Sequence, residues 1–138
     1  MRTEMKFVHA ADLHIDSPLL GLSRYEGAPV DRIRSATRRA FTNLVSLCLE
    51  HRVELLLLAG DLFDGDWKDY STGLFFIAEL SRLAESGTRV VYVRGNHDAA
   101  SHITKHLRLP PFIRELSTKR AETLAMPELG VAVHGRSY

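Results

Sequence analysis

A chain of 138 residues, 45% of them hydrophobic and 25% charged, can bury one sizeable core, which excludes wholesale disorder and fits one globular unit over 1–138. The 18 basic and 17 acidic residues leave a formal charge of +1, so no bulk field marks a nucleic-acid binder, and any such role must rest on local patches. Cys48 has no second cysteine to pair with, and no segment reaches the roughly 18 apolar residues of a membrane span, which together point to a cytoplasmic protein.

Met1 to Lys6 contains no apolar core of signal-peptide length and runs directly into a predicted strand over 6–11. The stretch from Asp12 to Pro29 carries Gly21, Gly27, Ser17 and Pro18 in the manner of an irregular surface loop. From Asp31, a candidate N-cap, Ile33, Ala36, Ala40, Leu44 and Leu47 recur at spacings of three and four up to His51, predicting an amphipathic helix. Arg32, Arg34, Arg38 and Arg39 are assigned to its wet face.

The run from Val53 to Ala59 is continuously apolar apart from Glu54 and stops at Gly60-Asp61, the signature of a strand buried on both faces at the centre of an α/β sheet. A second helix is predicted over 71–86, apolar enough through Leu74, Phe75, Phe76, Ile77, Leu80 and Leu83 to pack on the sheet, with Gly87 ending it. A third strand covers 89–94, and the β-α-β-α-β order implies a mainly parallel sheet with right-handed crossovers. Beyond Asn96 the pattern weakens to a short helix around 100–108, a break at Pro110-Pro111, and a strand at 131–134 paired with 121–125.

All three main strands end in metal-competent side chains. Asp12 and His14 lie two apart on a segment leaving the first strand and can offer one ion an oxygen and a nitrogen. Asp61, from the neighbouring strand, has two oxygens and can bridge two ions, while Asn96 offers a neutral oxygen. Mixed ligands of this kind favour Mn²⁺, Fe²⁺ or Zn²⁺ over Ca²⁺. Two ions about 3.5–4 Å apart would outweigh the charges of Asp12 and Asp61, and the surplus suits a phosphate. His97 is then the candidate for protonating a leaving oxygen or stabilising the transition state, with Asp98 orienting it. His9 reads as a buried, hydrogen-bonded core histidine, His102 and His106 as a solvated helix face, and Trp67 as a loop anchor or a base-stacking platform.

The motifs Asp12-Leu13-His14, Gly60-Asp61-Leu62-Phe63-Asp64 and Gly95-Asn96-His97-Asp98 resemble, in order, the first three signatures of the calcineurin-like metallophosphoesterases. The phrasing His9-Ala10-Ala11-Asp12, the Leu62-Phe63 pair and the closing His134-Gly135-Arg136-Ser137-Tyr138 are similar to DNA repair exonucleases of the SbcD type. That resemblance implies a four-layer α/β/β/α fold, two Mn²⁺ ions, hydrolysis of DNA phosphodiester bonds and a coiled-coil ATPase partner. It also implies a fourth motif with a metal-binding histidine and a fifth of Gly-His-x-His type, neither of which occurs in these 138 residues. The sequence is therefore expected to be the N-terminal part of a nuclease domain, with an unfinished second sheet, a tendency to self-associate, room for at most one ion and little activity alone. A small-substrate phosphoesterase and a non-catalytic assembly module remain the alternatives.

Overall fold

The computed structural model describes residues 4–65 and 69–138, so Trp67 lies outside the described residues. Four parallel strands, β1 (Phe7–Ala10), β2 (Leu55–Ala59), β3 (Arg89–Val93) and β4 (Ile113–Glu115), lie side by side in chain order. An antiparallel pair, β5 (Glu122–Met126) and β6 (Val131–Gly135), forms a second sheet in the expected pairing. The β4 strand follows Pro110-Pro111 and is only three residues long. The prolines read as a terminator, whereas they only delay the chain before it rejoins the sheet.

The crossovers are α1 (Val30–Glu50) and α2 (Tyr70–Ser86), followed after β3 by the short helices α3 (Asn96–Ala100) and α4 (His102–His106). Asp69 caps α2 by accepting a hydrogen bond from the Ser71 backbone N–H at 2.9 Å, and Gly87 closes it in the left-handed region at φ +84°. The short helix expected around 100–108 is α4, and α3 before it, whose first turn holds Asn96 and His97, was not expected.

Strand pairing divides the side chains cleanly. Val8, Leu56, Leu58, Val90 and Tyr92 point to the face that carries the helices, joining Phe41, Val45, Cys48, Phe76, Leu80, Leu83 and Ile103 in the main core. Leu55 and Val91 point the other way, against Leu116 and against Met126 of the second sheet. Among the described residues these make three layers, α/β/β, of the four the resemblance implies; the outer helical layer is not among them.

Three expectations are corrected. The stripe of α1 that is buried is Phe41, Val45 and Cys48, one step round from the predicted one, and Ile33 and Leu47 are exposed. The aromatic contacts decide the rotation: Phe41 stacks on Phe76 with ring centroids 5.4 Å apart and meets Phe75 edge-on at 6.1 Å. Arg38 does not lie on the wet face, because this rotation turns it toward Asp16 of the first loop. His9 is exposed rather than buried. It shares with Phe7 the sheet face that the two-stranded layer covers, but β1 is an edge strand, and the cover seats on Leu55 and Val91 of the inner strands instead.

Candidate metal centre

The parallel register brings the exits of β1 and β2 together. Ala10 pairs with Leu58, and beyond the sheet the ladder continues as the N–H groups of Asp12, His14 and Ile15 donate to the carbonyls of Gly60, Asp61 and Leu62 at 3.0, 3.0 and 2.8 Å. Within these tracks Asp12, His14, Asp16 and Asp61 all hold positive φ, at 54°, 42°, 58° and 51°. A non-glycine residue in that region costs about 1–3 kcal/mol, and such strain persists only where the surroundings over-determine it. In this conformation the ligand atoms of Asp12 and His14 and one from Asp61 all lie within 4.8 Å of one another.

The third strand end supplies the floor. Gly60, at φ +81°, backs onto Gly95, and a Cβ there would approach the Gly95 backbone to 3.1 Å. At Gly95 a Cβ would lie 2.0 Å from Asp61 Oδ1, so the Asp61 carboxylate occupies the very space that a side chain would take. The His97 N–H donates to that same oxygen at 3.1 Å, and the His97 ring stands edge-on to His14 with centroids 5.5 Å apart. Asn96 and His97 then form, with Ser17, Asp64, Gly65 and the loop from Pro18 to Leu22, the wall of a cleft of about 620 Å³.

Asp64, part of the second motif but given no role by sequence reasoning, accepts a hydrogen bond on one oxygen from the Ser17 hydroxyl and pairs through the other with His14 Nδ1. With Nδ1 so engaged, Nε2 is the nitrogen that keeps a lone pair to offer, the usual arrangement in which a carboxylate fixes the tautomer of a ligating histidine. The signal for it was spacing alone: a second carboxylate three residues beyond a candidate ligand.

Asp98 is fully buried and serves the backbone. Its Oδ1 accepts from Phe63 N–H and its Oδ2 from Gly95 N–H, both at 3.0 Å, so it stitches the β2 exit to the β3 exit. Burial pushes its carboxyl above the usual carboxylate range; the two N–H donors pull it partly back, and the charge of Asp61 adds to the rise. Among the described residues no hydrogen bond joins it to the His97 ring, so its geometry orients the start of α3, on which His97 stands, rather than the imidazole itself. His106 lies edge-on to Tyr70, and exposed His134 pairs through Nδ1 with Thr123 Oγ1 at 2.8 Å, away from the cluster.

The donor set suits a divalent transition ion: two carboxylates and one imidazole at strand ends, with a neutral amide close by. Among the described residues no helix is long and apolar enough to cross a membrane.

Comparison with known proteins agrees with this chemistry. The chain is 38% identical over 98 residues to an uncharacterized metallophosphoesterase, YhaO, of Bacillus subtilis, covering 71% of this chain and 24% of that one. It is 33% identical over 102 residues to a component of the nuclease SbcCD of Rhodobacter capsulatus, covering 72% and 23%, and 30% identical over 94 residues to the DNA double-strand break repair protein Mre11 of Methanopyrus kandleri, covering 68% and 19%. The chain thus spans about a quarter or less of the length of these relatives. The family model described as calcineurin-like phosphoesterase matches residues 5–136, nearly the full sequence, and the chain belongs to that family, whose members bind divalent metals.

Proposed function

We propose that these residues form the first half of the catalytic centre of a metal-dependent phosphodiesterase that acts on DNA ends. The observation that carries the reading is the convergence of Asp12, His14 and Asp61, from two neighbouring strands, onto a cluster whose ligand atoms lie within 4.8 Å of one another. Asp12, His14 and Asp61 would hold one ion; Asp61 and Asn96 would begin the second position, with its remaining ligands supplied from outside these 138 residues. When bound, a pair of ions, Mn²⁺ being the choice we favour, supplies Lewis acidity toward the phosphoryl oxygens and a nucleophilic water at neutral pH.

The chain's own residues do the rest. Asp64 holds His14 in the tautomer that leaves Nε2 free. Asp61 is fixed from below by Gly95 and the His97 N–H. The His97 ring, on the cleft wall beside His14, would give a proton to the oxygen that leaves. Asp98 holds the backbone that carries His97, so that its contribution to catalysis is positional.

DNA as substrate, a coiled-coil ATPase as partner and a cytoplasmic setting extend this reading. DNA as substrate is supported by the names of the SbcCD and Mre11 relatives, the ATPase partner only by the family resemblance of the motifs, and the cytoplasmic setting by the single buried Cys48, which suits a reducing compartment. A second reading, hydrolysis of a small phosphodiester, is favoured by the cleft itself: about 620 Å³ with Pro18, Leu19, Leu20 and Leu22 on one side and no lysine or arginine among its described lining residues.

The test uses the gene product that contains these residues at the length of its relatives, with Mn²⁺, end-labelled duplex DNA and an aryl phosphodiester side by side. Mn²⁺-dependent shortening of the DNA, lost in His97→Ala while metal binding persists, is the expected result. Cleavage of the aryl ester with DNA left intact selects the small-substrate reading. Turnover of neither, with the metal bound, selects an assembly module.

A further inference from the structure

Asp16 is a carboxylate the mechanism above does not use, and it is buried at 3% exposure two residues beyond His14. Arg38 of α1 grips it with its guanidinium fork: Nε donates to Oδ1 at 2.9 Å and to Oδ2 at 2.8 Å, and a terminal nitrogen joins Oδ2 as well. Thr72 of α2 donates to Oδ2 at 2.6 Å, and the Asp16 backbone N–H donates to Thr37 Oγ1 at 3.0 Å. Arg38 is itself held over the Phe75 ring, 5.0 Å from its centroid. One residue of the metal-binding loop is therefore bolted to both helices.

Joining α1 to α2 does not require it. The stacked rings of Phe41 and Phe76, with Phe75 edge-on, already join the helices, and a buried ion pair is generally no better for stability than well-packed apolar groups of its size. What the pair does fix is a segment whose residues 12, 14 and 16 all lie at positive φ. The residue after it, Ser17, donates to Asp64, and Asp64 in turn holds His14 Nδ1.

We propose that Asp16, clamped by Arg38 and Thr72, is a positioning residue that sets the ring orientation and tautomer of His14 through Ser17 and Asp64. The tie runs from the helical layer, through one buried carboxylate, to a ligand whose lone pair must face the ion. This rests on reading Asp12, His14 and Asp61 as a metal centre, but its primary readout needs no metal.

Long-range ¹H–¹⁵N spectra of the metal-free chain report the tautomer of His14, assigned by its loss in His14→Ala. The wild type is expected to show the Nδ1-protonated form. Asp16→Asn and Arg38→Lys, the second keeping the charge but losing the fork, are expected to show mixed tautomers and a 10- to 100-fold loss of Mn²⁺ affinity by calorimetry, on the order typical for outer partners of a metal ligand. Ser17→Ala, which cuts the relay while leaving the Asp16–Arg38 pair in place, should reproduce both changes without a comparable fall in Tm. A variant set in which Tm falls but the His14 tautomer and Mn²⁺ affinity match the wild type overturns the proposal, as does a wild type without the Nδ1-protonated form. A wild-type chain with the expected tautomer but no Mn²⁺ binding would count against the metal centre and leave the positional tie standing.

Discussion

Gly95→Ala is the substitution whose outcome the geometry constrains most tightly. Gly95 sits at φ −87° and ψ 179°, backbone that alanine adopts freely, so conformational strain contributes nothing. The penalty is wholly steric: the new Cβ would lie 2.0 Å from Asp61 Oδ1, 2.7 Å from its Cγ and 2.7 Å from its backbone N. Overpacking of this kind costs about 1–3 kcal/mol. Driving the carboxylate aside also breaks its hydrogen bond from the His97 N–H, worth about 1.5–3 kcal/mol as a bond to a charged group. A loss of roughly 2–4 kcal/mol in urea unfolding is expected, allowing for partial relaxation.

The metal readout separates this from ordinary overpacking. A ligand that binds only the native state, present at about 100 times its Kd, adds about 2.7 kcal/mol of stability. The wild type should gain about that much at saturating Mn²⁺, and Gly95→Ala should gain far less, because its Asp61 no longer faces Asp12 and His14. Gly87→Ala provides the contrast: nothing lies within 4 Å of its Cβ, φ is +84°, and the expected loss of about 1 kcal/mol is conformational and leaves the Mn²⁺ increment intact. A Gly95→Ala protein with wild-type Mn²⁺ stabilisation would refute the placement of Asp61 over this glycine.

Asp98→Asn should destabilise by about 1–3 kcal/mol, since an amide nitrogen would replace one of the two oxygens that accept from Phe63 and Gly95. Because the folded-state carboxyl titrates above its unfolded value, its proton favours the fold. The wild type's advantage over this variant in metal-free protein should therefore be full below about pH 4 and shrink as pH rises through the raised value; an advantage that grows with pH would contradict the assignment. Phe7, 56% exposed on the sheet face beside the second layer, makes self-association of these 138 residues the expected behaviour at high concentration, relieved by Phe7→Ser. Light scattering from a strict monomer would count against it.

The elements that sequence reading recovered are those with long, unambiguous periodicity. An aliphatic run such as 53–59 has no competing fate, and glycines that must adopt positive φ or admit a neighbouring carboxylate mark where the strands let go. The failures share a different cause, which is that long-range contacts choose among local possibilities of nearly equal merit. The α1 helix has apolar residues on two adjacent stripes, and Phe76 from a different element selects the one with Phe41. Arg38 looks like any surface arginine until Asp16, 22 residues earlier, is folded beneath it. His9 alternates correctly for burial, yet it stands on an edge strand outside the cover of the second sheet. The β4 strand is too short to carry a pattern and exists because the edge of β3 offers it partners. In the site, Asp12, His14 and Asp61 were legible because ligand chemistry and chain order both pointed at them. Asp64 was not, because its partner His14 lies 50 residues away.

The central claim is that Asp12, His14 and Asp61 make one ion-binding position and that Asp61 reaches into a second. Calorimetric titration of the 138-residue chain with Mn²⁺ tests it directly, in the wild type, in Asp61→Asn and in Asn96→Ala. The account predicts a stoichiometry of one, loss of most of the affinity in Asp61→Asn, and a much smaller effect in Asn96→Ala, whose amide belongs to the incomplete position. Two equivalent ions bound by the wild type, or an Asp61→Asn protein that binds as tightly as the parent, would contradict it.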